Sequence, residues 1–188
     1  PGFLFLVNNE TGNDYIYRNG YTSLFITDEE ILHIFAEISP LLVTDKTYDG
    51  IKTAFDSVSA LLPQHAIDRS GTLSKDEINK VESIISDSEA DDEQLTIIFV
   101  SDIEKDDLAD YAANAQKGII ENESQASALL AVNIKTGDSA VSGYGKYENL
   151  SAADVNDSFS AFLNKTSENN SYDAEGAAEA FTSMLKGN

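Results

Sequence analysis

The apolar positions of the chain change period repeatedly, and each change marks an element. Residues 3–7 are continuously apolar, as in a strand covered on both faces, whereas Asp14-Tyr15-Ile16-Tyr17-Arg18 alternates like a half-exposed one. The turn-forming stretch Asn8 to Asn13 lies between them, so the pattern predicts a β-hairpin. Thr27 with Glu30 has the spacing of a capping box, and Ile31, Ile34, Phe35 and Ile38 then fall on one helical face up to Pro40. A second helix is expected from about Asp49 to Leu62, stopped by Pro63.

The C-terminal part reads the same way. Ala128 to Val132 is apolar, Thr136-Gly137-Asp138 turns, and Ala140-Val141 leads to Gly143-Tyr144. Ser151 with Asp154 has capping spacing, and Val155, Phe159, Phe162 and Leu163 predict a helical face before a last helix carrying Ala177, Ala178 and Phe181. Asn8 matches Asn133, Gly12 matches Gly137, Gly20-Tyr21 matches Gly143-Tyr144 and Tyr48-Asp49 matches Tyr172-Asp173, all at a nearly constant offset. Residues 2–62 and 128–186 thus read as two copies of one half-domain.

The middle segment occurs once. Ser74 and Glu77 cap a helix bearing Ile78, Val81, Ile84 and Ile85; Leu95 to Val100 is a buried strand; Leu108, Tyr111, Ala112, Ala115 and Ile119 mark another helix. Strand, crossover helix and strand favour parallel pairing, to which the hairpin adds an antiparallel edge. The expectation is an α/β fold with a mixed sheet flanked by helices, divided into 1–63 and 64–188.

Charge narrows the partners. With 33 acidic against 12 basic residues the formal net charge is −21, which repels a phosphate backbone and argues against nucleic acid. The chain has no cysteine, which removes disulfides and thiolate chemistry. No apolar run reaches the roughly 20 residues that span a bilayer, so membrane contact is expected only through a segment outside this chain.

Ala66-Ile67-Asp68-Arg69-Ser70-Gly71-Thr72-Leu73-Ser74 before a helix, the strand Leu95 to Val100, and Gly143-Tyr144-Gly145 after a hairpin resemble the TPM domain family. The resemblance covers 65–186 as a whole domain and 2–62 as the back half of another. It implies an α/β sandwich outside the cytoplasm, often tethered by a membrane helix beyond the domain. Calcium is the cation described for some members, and acid phosphatase activity the chemistry described for some plant members. The expected role is therefore a binding or interaction module at the surface of a bacterial cell, with metal-dependent acid phosphatase as the alternative.

Candidate site residues follow from the same segments. Asp68 to Glu77 resembles the later part of an EF-hand loop, but Ala66 stands at the first ligand position and Pro63 breaks the entering helix. A turn with a capping box explains Ser70 to Glu77 instead. Asp68, which precedes the turn and matches the aspartate of the family's opening motif, and Asp102, which directly follows the strand Leu95 to Val100, are the candidate metal ligands, with Ser70, Gly143, Tyr144 and Gly145 completing the cluster. For Asp102 the N-cap of the helix starting near Glu104 is the simpler reading. The run Asp87, Glu89, Asp91, Asp92, Glu93 reads as a solvated loop, and His33 and His65 are not placed as general bases. The apolar strand 3–7 is expected to need a cover: an upstream segment, the complete domain, or a second chain in a homodimer.

Overall fold

In a computed structural model of the protein, residues 2–8, 14–19, 22–44, 46–119, 125–150, 159–165 and 170–186 are described. Two compact units divide the chain, Pro1–Pro63 and Gln64–Asn188.

The first unit opens with an antiparallel hairpin, β1 (Gly2–Leu6) and β2 (Tyr15–Asn19). A short helix, α1 (Thr22–Phe25), leads to α2 (Asp28–Leu42) and α3 (Thr47–Leu61). The capping box forms as read: Glu30 N–H donates to Thr27 Oγ1 at 3.3 Å, and Thr27 N–H donates to the Glu30 carboxylate. Ile16, Ile26, Ile34, Ile38, Ala54 and Val58 make the core. Pro40 does not stop α2. It lies near the C-terminal end, where its ring costs the helix one hydrogen bond, and the last turn closes through Val43 N–H to Ser39 O at 3.2 Å.

The second unit contains β3 (Ala66–Asp68), α4 (Lys75–Ser86), β4 (Glu93–Val100), α5 (Lys105–Ile119), β5 (Ala126–Asn133) and β6 (Ser139–Tyr144). The sheet order is β3-β4-β5-β6, with β3, β4 and β5 parallel and β6 antiparallel to β5. After a 3-10 turn at Gly145–Tyr147 come a second at Ser160–Phe162, a small hairpin of β7 (Leu163–Lys165) and β8 (Asn170–Tyr172), and α6 (Ala174–Lys186).

Two helical layers enclose this sheet. Ile98, Val100, Leu129, Ala131 and Ala140 pack beneath Leu108 and Ala112 of α5. Alternation along the strands sends Ile97, Phe99 and Leu130 to the other face, where α4 packs against α6 and Phe99 meets Tyr172 edge-on at 6.3 Å. β4 is buried over almost its whole length because both faces are covered.

β3 is absent from the sequence expectation. Three residues are too short for a periodic signal, and a distant carboxylate holds the strand in place. Glu82 of α4 accepts hydrogen bonds from the N–H groups of Gln64, His65 and Ala66 at 2.8, 2.8 and 2.7 Å. Glu82→Ala is expected to destabilise the fold by about 2 kcal/mol, because these amides would lose a charged acceptor. Urea denaturation checks this, and a change below about 0.5 kcal/mol would refute the role, being the range of an ordinary surface substitution.

The helix expected over 151–163 is corrected at its C-terminal end. Phe162 lies in a 3-10 turn and Leu163 in β7; the proposed cap at Ser151 and Asp154 lies outside the described residues. Phe159 is still buried, so at 159–163 the apolar spacing recorded burial rather than an α-helical face. Gly12, Gly20 and Tyr21, used in the repeat reading, also lie outside the described residues.

Candidate functional site

The three parallel strands end at one edge of the sheet, and the Asp68 loop is built there. Asp68 is 2% exposed, at the end of the edge strand β3, where it pairs with Phe99 of β4. Its Oδ1 accepts hydrogen bonds from Ser70 N–H at 2.8 Å, Gly71 N–H at 3.1 Å and the Ser70 hydroxyl; Oδ2 accepts from Leu73 N–H at 3.0 Å. Arg69 and Ser70 N–H both donate to Phe99 O, pinning the loop to β4. Three donors converge on Oδ1 and one on Oδ2, so both oxygens are turned onto the loop. Asp68 is thus the organiser of its own loop.

That loop runs into α4 through a second capping box. Glu77 N–H donates to Ser74 Oγ at 3.3 Å, and Ser74 N–H donates to Glu77 Oε2 at 2.8 Å. The Ser74 hydroxyl and N–H hold the Glu77 carboxyl below its ordinary value.

Around the loop, the edge carries polar and basic groups from three other segments. Ser70 and Thr72 hydroxyls lie 2.8 Å apart, and the Arg69 guanidinium lies 5.9 Å from the centre of the Tyr111 ring of α5. Asn133 closes β5 by donating from Nδ2 to Ile103 O at 2.8 Å and accepting from Lys135 N–H at 2.9 Å. Lys105 pairs with Asp138 at 3.5 Å. Asp102 lies exposed at this edge, just after β4. Helix α5 begins at Lys105, which places Glu104 rather than Asp102 immediately before it.

Gly143, Tyr144 and Gly145 stand elsewhere. β6 runs antiparallel to β5, so Gly143 pairs with Ala128 near the start of β5, while Asp68 lies beside Phe99 near the end of β4. The eight residues of β4, which rise roughly 3.3 Å each, separate the two edges. The expected cluster is therefore split, with Asp68, Ser70 and Asp102 at one edge and the glycine step at the other. The glycines serve packing: a Cβ on Gly143 would lie 1.9 Å from the backbone oxygen of Tyr147, and Gly145 has φ +66° with Ala126 Cα 3.2 Å from where its Cβ would be. Tyr144 is exposed beside them.

The glycine edge borders a cavity of about 370 Å³ lined by Glu93, Leu95, Lys146, Tyr147, Thr182 and Leu185, among others. Here the solvated-loop expectation fails. Glu93 is 7% exposed and pairs with Lys146, whose ammonium also lies 5.0 Å from the centre of the Tyr147 ring. Burial pushes the Glu93 carboxyl up, but Lys146, the Ala90 N–H and Tyr147 together outweigh it and hold the group below its ordinary value. Glu89 accepts from Leu95 N–H and lies 3.2 Å from His65 Nδ1, so it too faces inward. In sequence these two carboxylates look like their solvated neighbours Asp91 and Asp92; Lys146, 53 positions away, supplied no local signal.

The depressed Glu93 group makes an expected pH dependence. Its contribution to stability is complete above the ordinary carboxyl value near 4.5 and is lost as the pH falls through the lower folded-state value. Lys146→Met is therefore expected to be less stable than the wild type near neutral pH, with the difference shrinking as the pH falls below the ordinary carboxyl range; a difference in urea midpoint that stays constant with pH would show that the pair contributes nothing.

A comparison with protein families supplies the decisive observation, for the family model of the TPM domain matches residues 66–186. The chain belongs to the TPM domain family. No curated protein and no solved structure matches it. The TPM domain occupies nearly the whole second unit, and its mixed four-stranded sheet flanked by helices agrees with the fold that the resemblance implied.

Calcium was the cation implied for Asp68 and Asp102, and the residues do not fit it there. Asp68 spends both oxygens on its loop, and among the described residues no three His, Cys, Asp or Glu side chains stand close enough to share a metal ion. Among the described residues, too, no helix is long and apolar enough to cross a membrane.

Proposed function

We propose that this chain is a binding module of an extracytoplasmic protein on a bacterial surface, its TPM domain presenting the Asp68 edge as a preformed polar recognition surface. The observation that carries this reading is the engagement of both Asp68 carboxylate oxygens by four donors from its own loop. A side chain held in this way fixes backbone geometry, and preorganised loops bind without losing entropy on contact. Ser70, Thr72 and Arg69 are the outward groups of the loop, with Lys135 following β5 at the same edge. Family membership supports the location, with tethering by a membrane segment outside this chain; removal of the domain from intact cells by added protease is the expected result.

The second reading is a metal-dependent acid phosphatase. It would need a metal with an open position for activated water, held by carboxylates with free lone pairs. Asp102 is exposed, whereas both oxygens of Asp68 are already turned onto its own loop. Purified protein is expected to release no phosphate from a generic phosphomonoester at acid pH with calcium, magnesium or manganese. Metal-dependent turnover abolished by Asp102→Asn would overturn the binding-module reading. Millimolar calcium is likewise expected to leave the melting temperature unchanged, since only a ligand bound to the folded state raises it. A rise that disappears in Asp102→Asn would place a cation at this edge.

A further inference from the structure

The hairpin of the first unit has one covered face and one bare one. Phe3, Phe5 and Ile16 point toward the helices, Phe3 meeting Phe55 edge-on at 5.4 Å and Phe5 meeting Phe35 at 6.3 Å. On the other face Leu4 pairs with Tyr17 and Leu6 with Tyr15, and these four are 50%, 48%, 52% and 58% exposed. Four large apolar and aromatic side chains exposed together on one small sheet mark a contact surface.

The same chain shows what covers a hairpin of this kind. Every β1–β2 pair maps onto a β5–β6 pair by one shift of 125 on both strands: Leu4↔Tyr17 becomes Leu129↔Ser142, and Leu6↔Tyr15 becomes Ala131↔Ala140. Leu129, Ala131 and Ala140 are buried beneath α5, and Ser142 donates to Gln116 of that helix. The matching edges differ as well. β5 pairs in parallel with β4 along its second edge, while β1 has only β2 beside it among the described residues. The bare face and the open edge of the first hairpin are thus the face and edge that a strand followed by a helix cover in the second.

We propose that β1 and the Leu4, Leu6, Tyr15, Tyr17 face form a docking surface for a strand-then-helix segment of a partner polypeptide. The strand is apolar and runs parallel to β1, completing its backbone hydrogen bonds; the helix lays a stripe of small and aliphatic residues over the four side chains, as Leu108 and Ala112 do over β5 and β6. A net charge of −21 opposes a second copy of this chain and favours a partner with basic residues at the rim of that helix. The surface belongs to the first unit and stands independently of the reading of the TPM domain.

The test uses the full chain and, as probe, a synthetic peptide with the sequence Glu93–Ile119 carrying Asp106→Lys, Asp107→Lys and Asp110→Lys, which keeps this chain's own strand-then-helix and places basic residues on the exposed side of the helix. At saturating peptide and physiological salt, amide exchange of Phe3 to Leu6 is expected to slow by at least about tenfold. Leu4→Glu and Tyr17→Glu, both on the bare face, should remove the protection while leaving the circular dichroism unchanged, and a peptide of the helix alone should give none. Three results would overturn the proposal. The first is no protection. The second is protection without peptide at monomer mass, which would show that the rest of the chain covers the face. The third is protection that grows with protein concentration alongside mass, which would make a second copy the occupant.

Discussion

Gly143→Ala is expected to destabilise the Gln64–Asn188 unit by at least about 3 kcal/mol, lowering its melting temperature by roughly 10 °C. A Cβ at this position would stand 1.9 Å from Tyr147 O, 2.6 Å from Tyr147 C and 3.0 Å from Tyr147 Cβ. The obstacle is backbone, so it cannot rotate away as a side-chain tip would. Relief requires the 3-10 turn Gly145–Tyr147 to move, and that turn carries both Lys146 and Tyr147 against Glu93. The substitution should therefore also weaken the Glu93–Lys146 pair, reducing the acid sensitivity attributed to it. Gly118→Ala is the control. Nothing lies within 4 Å of the added methyl in α5, and helix propensity predicts a gain of up to about 1 kcal/mol. If both variants melted within a degree of the wild type, the close approach at Gly143 would be wrong.

The second large effect is expected at Asp68. Removing its carboxylate takes the acceptor from Gly71 N–H and from the buried Leu73 N–H, and one of two partners from Ser70 N–H and from the Ser70 hydroxyl. Hydrogen bonds to a charged acceptor are worth about 1.5–3 kcal/mol each, and they are not additive within one loop, so about 4 kcal/mol is the expected loss for Asp68→Ala. Asp68→Asn keeps the shape and one acceptor oxygen and should lose about half as much. Native-state hydrogen exchange provides the local readout: the amides of Ser70, Gly71 and Leu73 should lose protection before those of β4. The loss should be the same in EDTA and in millimolar calcium, because the partners are the loop's own donors. A loss that appeared only with calcium present would make Asp68 a ligand.

What could be read locally was legible in the sequence. Thr27 with Glu30 and Ser74 with Glu77 each span a single turn, so the residues that form the capping boxes are also those that encode them. The β4 run and the two hairpins were legible for a similar reason, since continuous or alternating apolarity reports how many faces are covered. Glycine at 143 gave a partial signal, for glycine inside a strand pattern warns of a bend or a close backbone approach. It did not say what approaches.

The sequence by itself determined the α/β class, the membership of residues 66–186 in a TPM domain, the capped helix starts and the exclusion of thiolate chemistry. Only the tertiary structure decided the rest. It put Asp68 and Gly143 at opposite edges of one sheet, because β6 returns antiparallel to β5. It turned Glu93 from one acidic residue in a run into a buried ion-pair partner by bringing Lys146 against it. It also assigned the lone pairs of Asp68, since a carboxylate's freedom to bind depends on which amides the folded loop turns toward it, and chain spacing does not record that direction.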